Sequence, residues 1–262
     1  MSNNNKKPLT VFTNTMTPIA TLVGKCSALL FFTFFLASCS SVGVKSEKAA
    51  NVNADLGIRY LQGGRLQLAN EKLLKALKQS PNSPSANHYY AILQQRLGNT
   101  AKAGQFFRKA VNLKPKDPEI RNNYGSFLCD NGQPQAAIQQ FTSAINDPLY
   151  ATPEFAYTNA GICLRKTGNH TKAEEYFRNA LKKKSSFPSA LLEMAGLYSD
   201  RKSYPRAQAF MSRYESVGQS SPKALELCTI INQQMSDIAK SESCKSALLR
   251  LFPDSPEAQR AN

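Results

Sequence analysis

A stretch in the middle of this chain repeats itself, and that repetition limits the fold more than any other feature. NNYGSFLCDNGQPQAAIQQFTSAI, starting at Asn122, is followed by TNAGICLRKTGNHTKAEEYFRNAL, starting at Thr158. Superposed, Gly125 meets Gly161, Gly132 meets Gly168, Ala137 meets Ala173, Phe141 meets Phe177 and Ala144 meets Ala180, each pair 36 residues apart. Steps of 34 upstream find Gly57, Gly64, Ala69, Leu73 and Ala76, then Ala91, Gly98, Ala103, Phe107 and Ala110. Ala195, Tyr198, Ala207 and Met211 continue the register more loosely. An irregular bundle does not explain a register shared over so many residues.

The recurring slots have a packing logic. A Gly or Ala facing an Ala lets two helices approach closely, and a bulky residue four positions on fills the space beside the crossing. Glycine ending the first helix of a pair supplies a left-handed cap, and proline after the second prevents its continuation. Period and slots together resemble the tetratricopeptide repeat, a helix–turn–helix unit of about 34 residues that is stable only when several stack. The resemblance implies an all-α fold, a right-handed α-solenoid of about six helix pairs. Repeats are expected at 50–83, 84–117, 118–151, 154–187 and 188–221. The two surplus residues between the central copies fall in the loop Asp147–Pro153, which holds two prolines. Repeat five departs from the pattern, with Lys202 in the turn-glycine slot and Tyr214 in the last alanine slot. Residues 222–253 read as a degenerate pair shielding the open end, with 254–262 as a tail.

Residues 1–38 stand apart from the repeats. Lys6, Lys7 and Lys25 precede the apolar run ALLFFTFFLA, Ala28 to Ala37, which is too short to span a bilayer and reads as an export signal. Met16 is an alternative start, since Lys25 alone supplies a positive end. The run closes in Leu36-Ala37-Ser38-Cys39, which resembles the bacterial lipobox. That resemblance implies N-terminal diacylglycerol and an N-acyl lipid on Cys39, and, with Ser40 following, sorting to the outer membrane. Residues 39–49 are then a lipidated tether, reaching at most about 35 Å if extended.

Four further cysteines remain: Cys129, Cys163, Cys228 and Cys244. An even number in an exported chain suggests two bridges, with three pairings possible. Cys129 and Cys163 fall on first helices of adjacent repeats, and Cys228 and Cys244 face one another across the last hairpin, which favours 129–163 and 228–244. Two pairs of small buried thiols are the alternative. Metal-ligand spacing is absent, so no metal or other cofactor is expected.

The formal net charge is +15, and residues 1–38 account for three of those charges, leaving +12. Such a surplus suits anionic surfaces, but a solvated lysine coat on outward helix faces is the preferred reading. No interleaved aromatic and basic motif of the nucleic-acid modules is present, so nucleic acid is not an expected partner. Catalysis has little support. His88 and His170 lack a neighbouring nucleophile, and no phosphate-binding glycine loop exists.

In tetratricopeptide repeats the first helices line a concave groove. Carried over, those slots are Ile58; Tyr89 and Ile92; Asn122, Asn123 and Ser126; Thr158, Asn159 and Ile162; and Leu192. Asn123 and Asn159 are equivalent, and an amide can pair with the backbone of an extended peptide or brace neighbouring repeats. The lysines of carboxylate-clamp relatives are absent. Finer matches are Asn122-Asn123-Tyr124-Gly125 with Cys129, Asn159-Ala160-Gly161 with Cys163, and Leu251-Phe252-Pro253 near the end. Behind a lipobox, these resemble the type IV pilus pilotin lipoproteins of the PilF/PilW type. The resemblance implies an outer-membrane lipoprotein on the periplasmic face. Its expected partners are the lipoprotein sorting machinery and secretin subunits, whose multimerisation it promotes. Another envelope scaffold, serving outer-membrane protein assembly or murein enzymes, is the alternative.

Overall fold

The structure, a computed structural model, describes residues 38–261, with side chains from residue 46. Residues 1–37 of the expected export signal and the side chain of Cys39 lie outside the described residues. The chain divides between Lys48 and Ala49 into two units, and the repeats lie within the second, 49–262.

The fold is all-α. Among the described residues there are thirteen helices: α1 (Ser38–Gln62), α2 (Leu66–Gln79), α3 (Pro84–Arg96), α4 (Thr100–Leu113), α5 (Pro118–Asp130), α6 (Pro134–Ile145), α7 (Pro153–Lys166), α8 (His170–Lys183), α9 (Pro188–Asp200), α10 (Tyr204–Glu215), α11 (Pro222–Gln234), α12 (Ile238–Leu251) and α13 (Pro256–Ala261). Odd-numbered helices from α1 to α11 are the first of each pair and even-numbered ones the second. No helix among the described residues is long and apolar enough to cross a membrane. Helix α1 takes in residues 39–49, so a segment that would reach about 35 Å extended rises only about 15 Å as helix.

Local chemistry sets the boundaries. Proline occupies the first turn of α3, α5, α7, α9 and α11, where its fixed φ suits the helix and its missing N–H costs nothing. Ser83, Asp117 and Ser221 cap three of these by accepting from Ala86, Ile120 and Ala224 backbone N–H groups. Asn99 starts α4 without such a bond; its Nδ2 donates instead to Gln94 Oε1 at 2.9 Å. Turn glycines 64, 98, 132 and 168 all have φ between 71° and 78°, the left-handed cap a Cβ disfavours. Lys202 and Ser236 adopt the same conformation in the last two pairs, with φ 55° and 62°.

The core follows the repeat. Leu73, Phe107, Phe141, Phe177 and Met211 are buried, each on its second helix against the small residue of its first. A Cβ built on Gly125 would lie 2.7 Å from Phe141 Cε1, and one on Gly161 2.5 Å from Phe177 Cε1. Glycine is therefore demanded at those crossings. The surplus residues lie in 146–152, against 80–83, 114–117 and 184–187 at other junctions. That loop leaves Leu149 89% exposed and anchors itself by burying Tyr150 against Ala144 and Ala156.

Candidate functional site

First helices of successive repeats touch along the array, which makes one continuous face from α3 to α11. A seam of polar contacts joins them. Arg96 Nη1 on α3 donates to the Leu61 carbonyl of α1 at 3.3 Å. Asn123 Nδ2 on α5 lies 2.9 Å from His88 Nε2 on α3, so the imidazole nitrogen accepts and its proton sits on Nδ1. Asn159 Nδ2 on α7 donates to Asn122 Oδ1 on α5 at 3.0 Å. Lys166 pairs with Asp130 at 2.8 Å. Arg165 bridges from α7 to Glu193 at 2.9 Å and Asp200 at 2.6 Å on α9, and Lys223 of α11 completes the seam on Glu193.

One of two disulfides reinforces it. Cys129 bonds Cys163 between the first helices α5 and α7, with Cα atoms 5.8 Å apart. Cys228 bonds Cys244 within the α11–α12 hairpin, at 6.0 Å. In the loop-closure account, sequence separations of 34 and 16 correspond to about 4 and 3 kcal/mol.

The groove candidates divide into two groups. Ile58, Tyr89, Ile92 and Ile162 are half-buried, backed by the core and open on the first-helix face. Thr158 and Leu192 expose only 2% and 9% of their surface and Asn122 only 7%, so they brace the face and offer little of themselves to a ligand. Thr158 turns its hydroxyl back to the Glu154 carbonyl at 2.7 Å, and Ser126 donates to the Asn122 carbonyl at 3.2 Å. Asn123 and Asn159 each spend an N–H on a neighbouring repeat, while their Oδ1 atoms accept no hydrogen bond from the described residues.

His88 is 3% exposed, and burial pushes its imidazole down to about 4, against an opposing pull from Asp117. It is neutral at pH 7 and held by Asn123. His170 is the first residue of α8, on a second helix, so the two histidines do not meet. Among the described residues no set of His, Cys, Asp or Glu gathers in a metal-binding arrangement. The arrangement offers a rigid face with apolar side chains and free carbonyl acceptors, suited to holding a polypeptide.

Bracing by Asn123 and Asn159 is one of the two expectations for them, whereas the charged part of the seam is not expected from the sequence, though the seam leaves a trace there. Its pairs are separated by 35 (His88 and Asn123), 37 (Asn122 and Asn159), 36 (Asp130 and Lys166) and 35 residues (Arg165 and Asp200). Complementary polar residues one repeat apart on first helices are the signal.

Tetratricopeptide repeat family models match residues 60–122, 106–139 and 156–183. The type IV pilus assembly protein PilF of Pseudomonas aeruginosa is 29% identical over 213 residues, covering 81% of this chain and 84% of the relative. A solved structure of PilW, described as a widely conserved type IV pilus biogenesis factor, superposes with a TM-score of 0.72 at 31% identity, covering 80% of this chain and 97% of that one. The structure of Pseudomonas aeruginosa PilF gives a TM-score of 0.70 at 28% identity, covering 82% and 97%.

Proposed function

The chain belongs to the family of type IV pilus biogenesis tetratricopeptide-repeat proteins that includes PilF and PilW, and from that membership we propose that it is a pilotin lipoprotein. Lipid on Cys39 anchors it to the periplasmic face of the outer membrane, where the lipoprotein sorting machinery delivers it. The first-helix face of the first four repeats holds a secretin subunit and promotes secretin multimerisation.

The observation that carries this reading is the pairing of half-exposed Ile58, Tyr89, Ile92 and Ile162 with the unused Oδ1 acceptors of Asn123 and Asn159 on one face. An extended segment needs both: pockets for alternate side chains and acceptors for its backbone N–H groups. The seam and the Cys129–Cys163 bond hold that face in shape, so little ordering entropy is lost on binding. The work is carriage, without a reacting group: His88 is buried, neutral and occupied by Asn123.

Affinity purification from cross-linked envelopes tests the reading. Secretin is expected with the tagged protein and is expected to lose its outer-membrane position in Cys39→Ala cells. Recovery of β-barrel assembly factors or a murein hydrolase in place of secretin would overturn it.

A further inference from the structure

The net positive charge is not spread evenly over the fold. The six second helices, α2 to α12, carry fifteen Lys and Arg against five Asp and Glu. The six first helices, α1 to α11, carry eight of each. Two-thirds of the +15 surplus thus sits on one side of the hairpins.

Ion pairs occur on both sides: on second helices Lys72 pairs with Glu71, Arg178 with Glu174 and Lys240 with Glu215. On the first-helix side Arg165, Lys166 and Lys223 are neutralised by Glu193, Asp200 and Asp130. On the second-helix side Lys75, Lys78, Lys102, Lys172, Lys182 and Lys183 are exposed and make no ion pair with the described residues. Cations that outnumber the acids of their own helices three to one repel one another, and an anionic partner relieves that cost. Lys78 and Lys102 line one open, largely apolar hollow with Leu74, Leu77, Tyr90 and Phe106, while Lys172, Lys182 and Lys183 lie apart on α8, so the partner is an extended array of negative charge. On α2 they alternate with leucines: Leu68 and Leu74 are 36% and 46% exposed beside Lys75 and Lys78. Cationic heads with aliphatic side chains between them match the headgroup zone of a bilayer.

We propose that the second-helix face, centred on α2, α4 and α8, rests on an anionic phospholipid surface. The contact orients the repeat unit on the membrane and leaves the first-helix face free for its partner. It stands independently of the secretin reading, because none of its residues lies on the first helices.

The test uses residues 49–262, which hold the whole repeat core, both disulfides and no acylation site. Flotation is measured with vesicles of phosphatidylcholine alone and of phosphatidylcholine with 30% phosphatidylglycerol, at about 0.1 M and about 0.5 M NaCl. The protein is expected to float with the anionic vesicles only, and to be released by high salt. Lys75→Glu/Lys78→Glu/Lys102→Glu and Lys172→Glu/Lys182→Glu/Lys183→Glu should each weaken binding roughly tenfold or more, with a cooperative thermal melt retained. All six side chains are exposed, so the fold is kept, although Lys78, Lys182 and Lys183 sit in last helical turns and Lys102 lies over the Tyr90 ring, which lowers the melting temperature slightly. Equal binding to neutral vesicles, no flotation at low salt, or variants that float like the parent protein would each overturn the proposal. Loss of flotation with retained secretin binding separates this face from the first-helix face.

Discussion

Gly161→Ala is the most direct probe of the packing that builds the array. The new methyl would sit 2.5 Å from Phe177 Cε1, 2.6 Å from Cδ1 and 3.0 Å from Cζ. Carbon atoms settle at about 3.5–4.0 Å, so roughly 1 Å of separation must open between α7 and α8. The ring is fully buried and cannot swing into solvent. Cys163, two residues on, is bonded to α5 and resists movement of α7. Overpacking of this kind costs about 1–3 kcal/mol, and the helix propensity of alanine returns a little under 1 kcal/mol. A net loss of up to about 2 kcal/mol follows, read as a lower urea midpoint at unchanged slope. Repeat five supplies the rescue, since Ala195 and Met211 fill the equivalent slots there and are buried in one core cluster. In the Gly161→Ala background, Phe177→Met should restore most of the loss, although Phe177→Met alone destabilises. A Gly161→Ala protein as stable as the parent, or a double variant weaker than both singles combined, would refute the crossing argument.

Other perturbations follow from the same structure. Lys202→Gly should raise the urea midpoint by the equivalent of about 0.5–1 kcal/mol, because Lys202 holds φ 55° where the other turns use glycine. Cys228→Ala/Cys244→Ala should cost about 3 kcal/mol in the last hairpin, seen as faster hydrogen exchange in α11 and α12 than in α5 to α8. His88 titrates near 4 when folded and near 6.5 when unfolded, so the unfolded chain binds more protons between those values. Stability should then fall as pH drops from about 6.5 towards 4, by up to about 3 kcal/mol, and His88→Gln should flatten that part of the urea-midpoint profile.

The parts of the fold written in small local alphabets were readable beforehand. Gly125 and Gly161 sit where a helix crosses a phenylalanine, Gly132 and Gly168 where φ turns positive, and the loop about Pro148 where the period lengthens; each is dictated within one hairpin. Of the parts that depend on partners a repeat away, the Cys129–Cys163 bond was readable and the charged seam was not. For Asn123 and Asn159 the sequence leaves peptide pairing and bracing of neighbouring repeats both open, and each does spend a donor on its neighbour. Arg165, Glu193 and Lys223 are ordinary charged residues until stacking brings three first helices together. The backward extension of α1 to Ser38 was also hidden, because Ser, Val and Gly in that stretch give weak helix propensity. Lys202 and Ser236 show the reverse case, left-handed turns kept after the glycine signal has gone.

Secretin binding at the first-helix face is the central proposal for this protein. Titrating the purified periplasmic region of the cognate secretin into residues 49–262 measures this directly. Saturable binding is expected, weakened roughly tenfold or more by Ile92→Asp/Ile162→Asp without a change in melting temperature. No binding, or binding that the double substitution leaves intact, would contradict it.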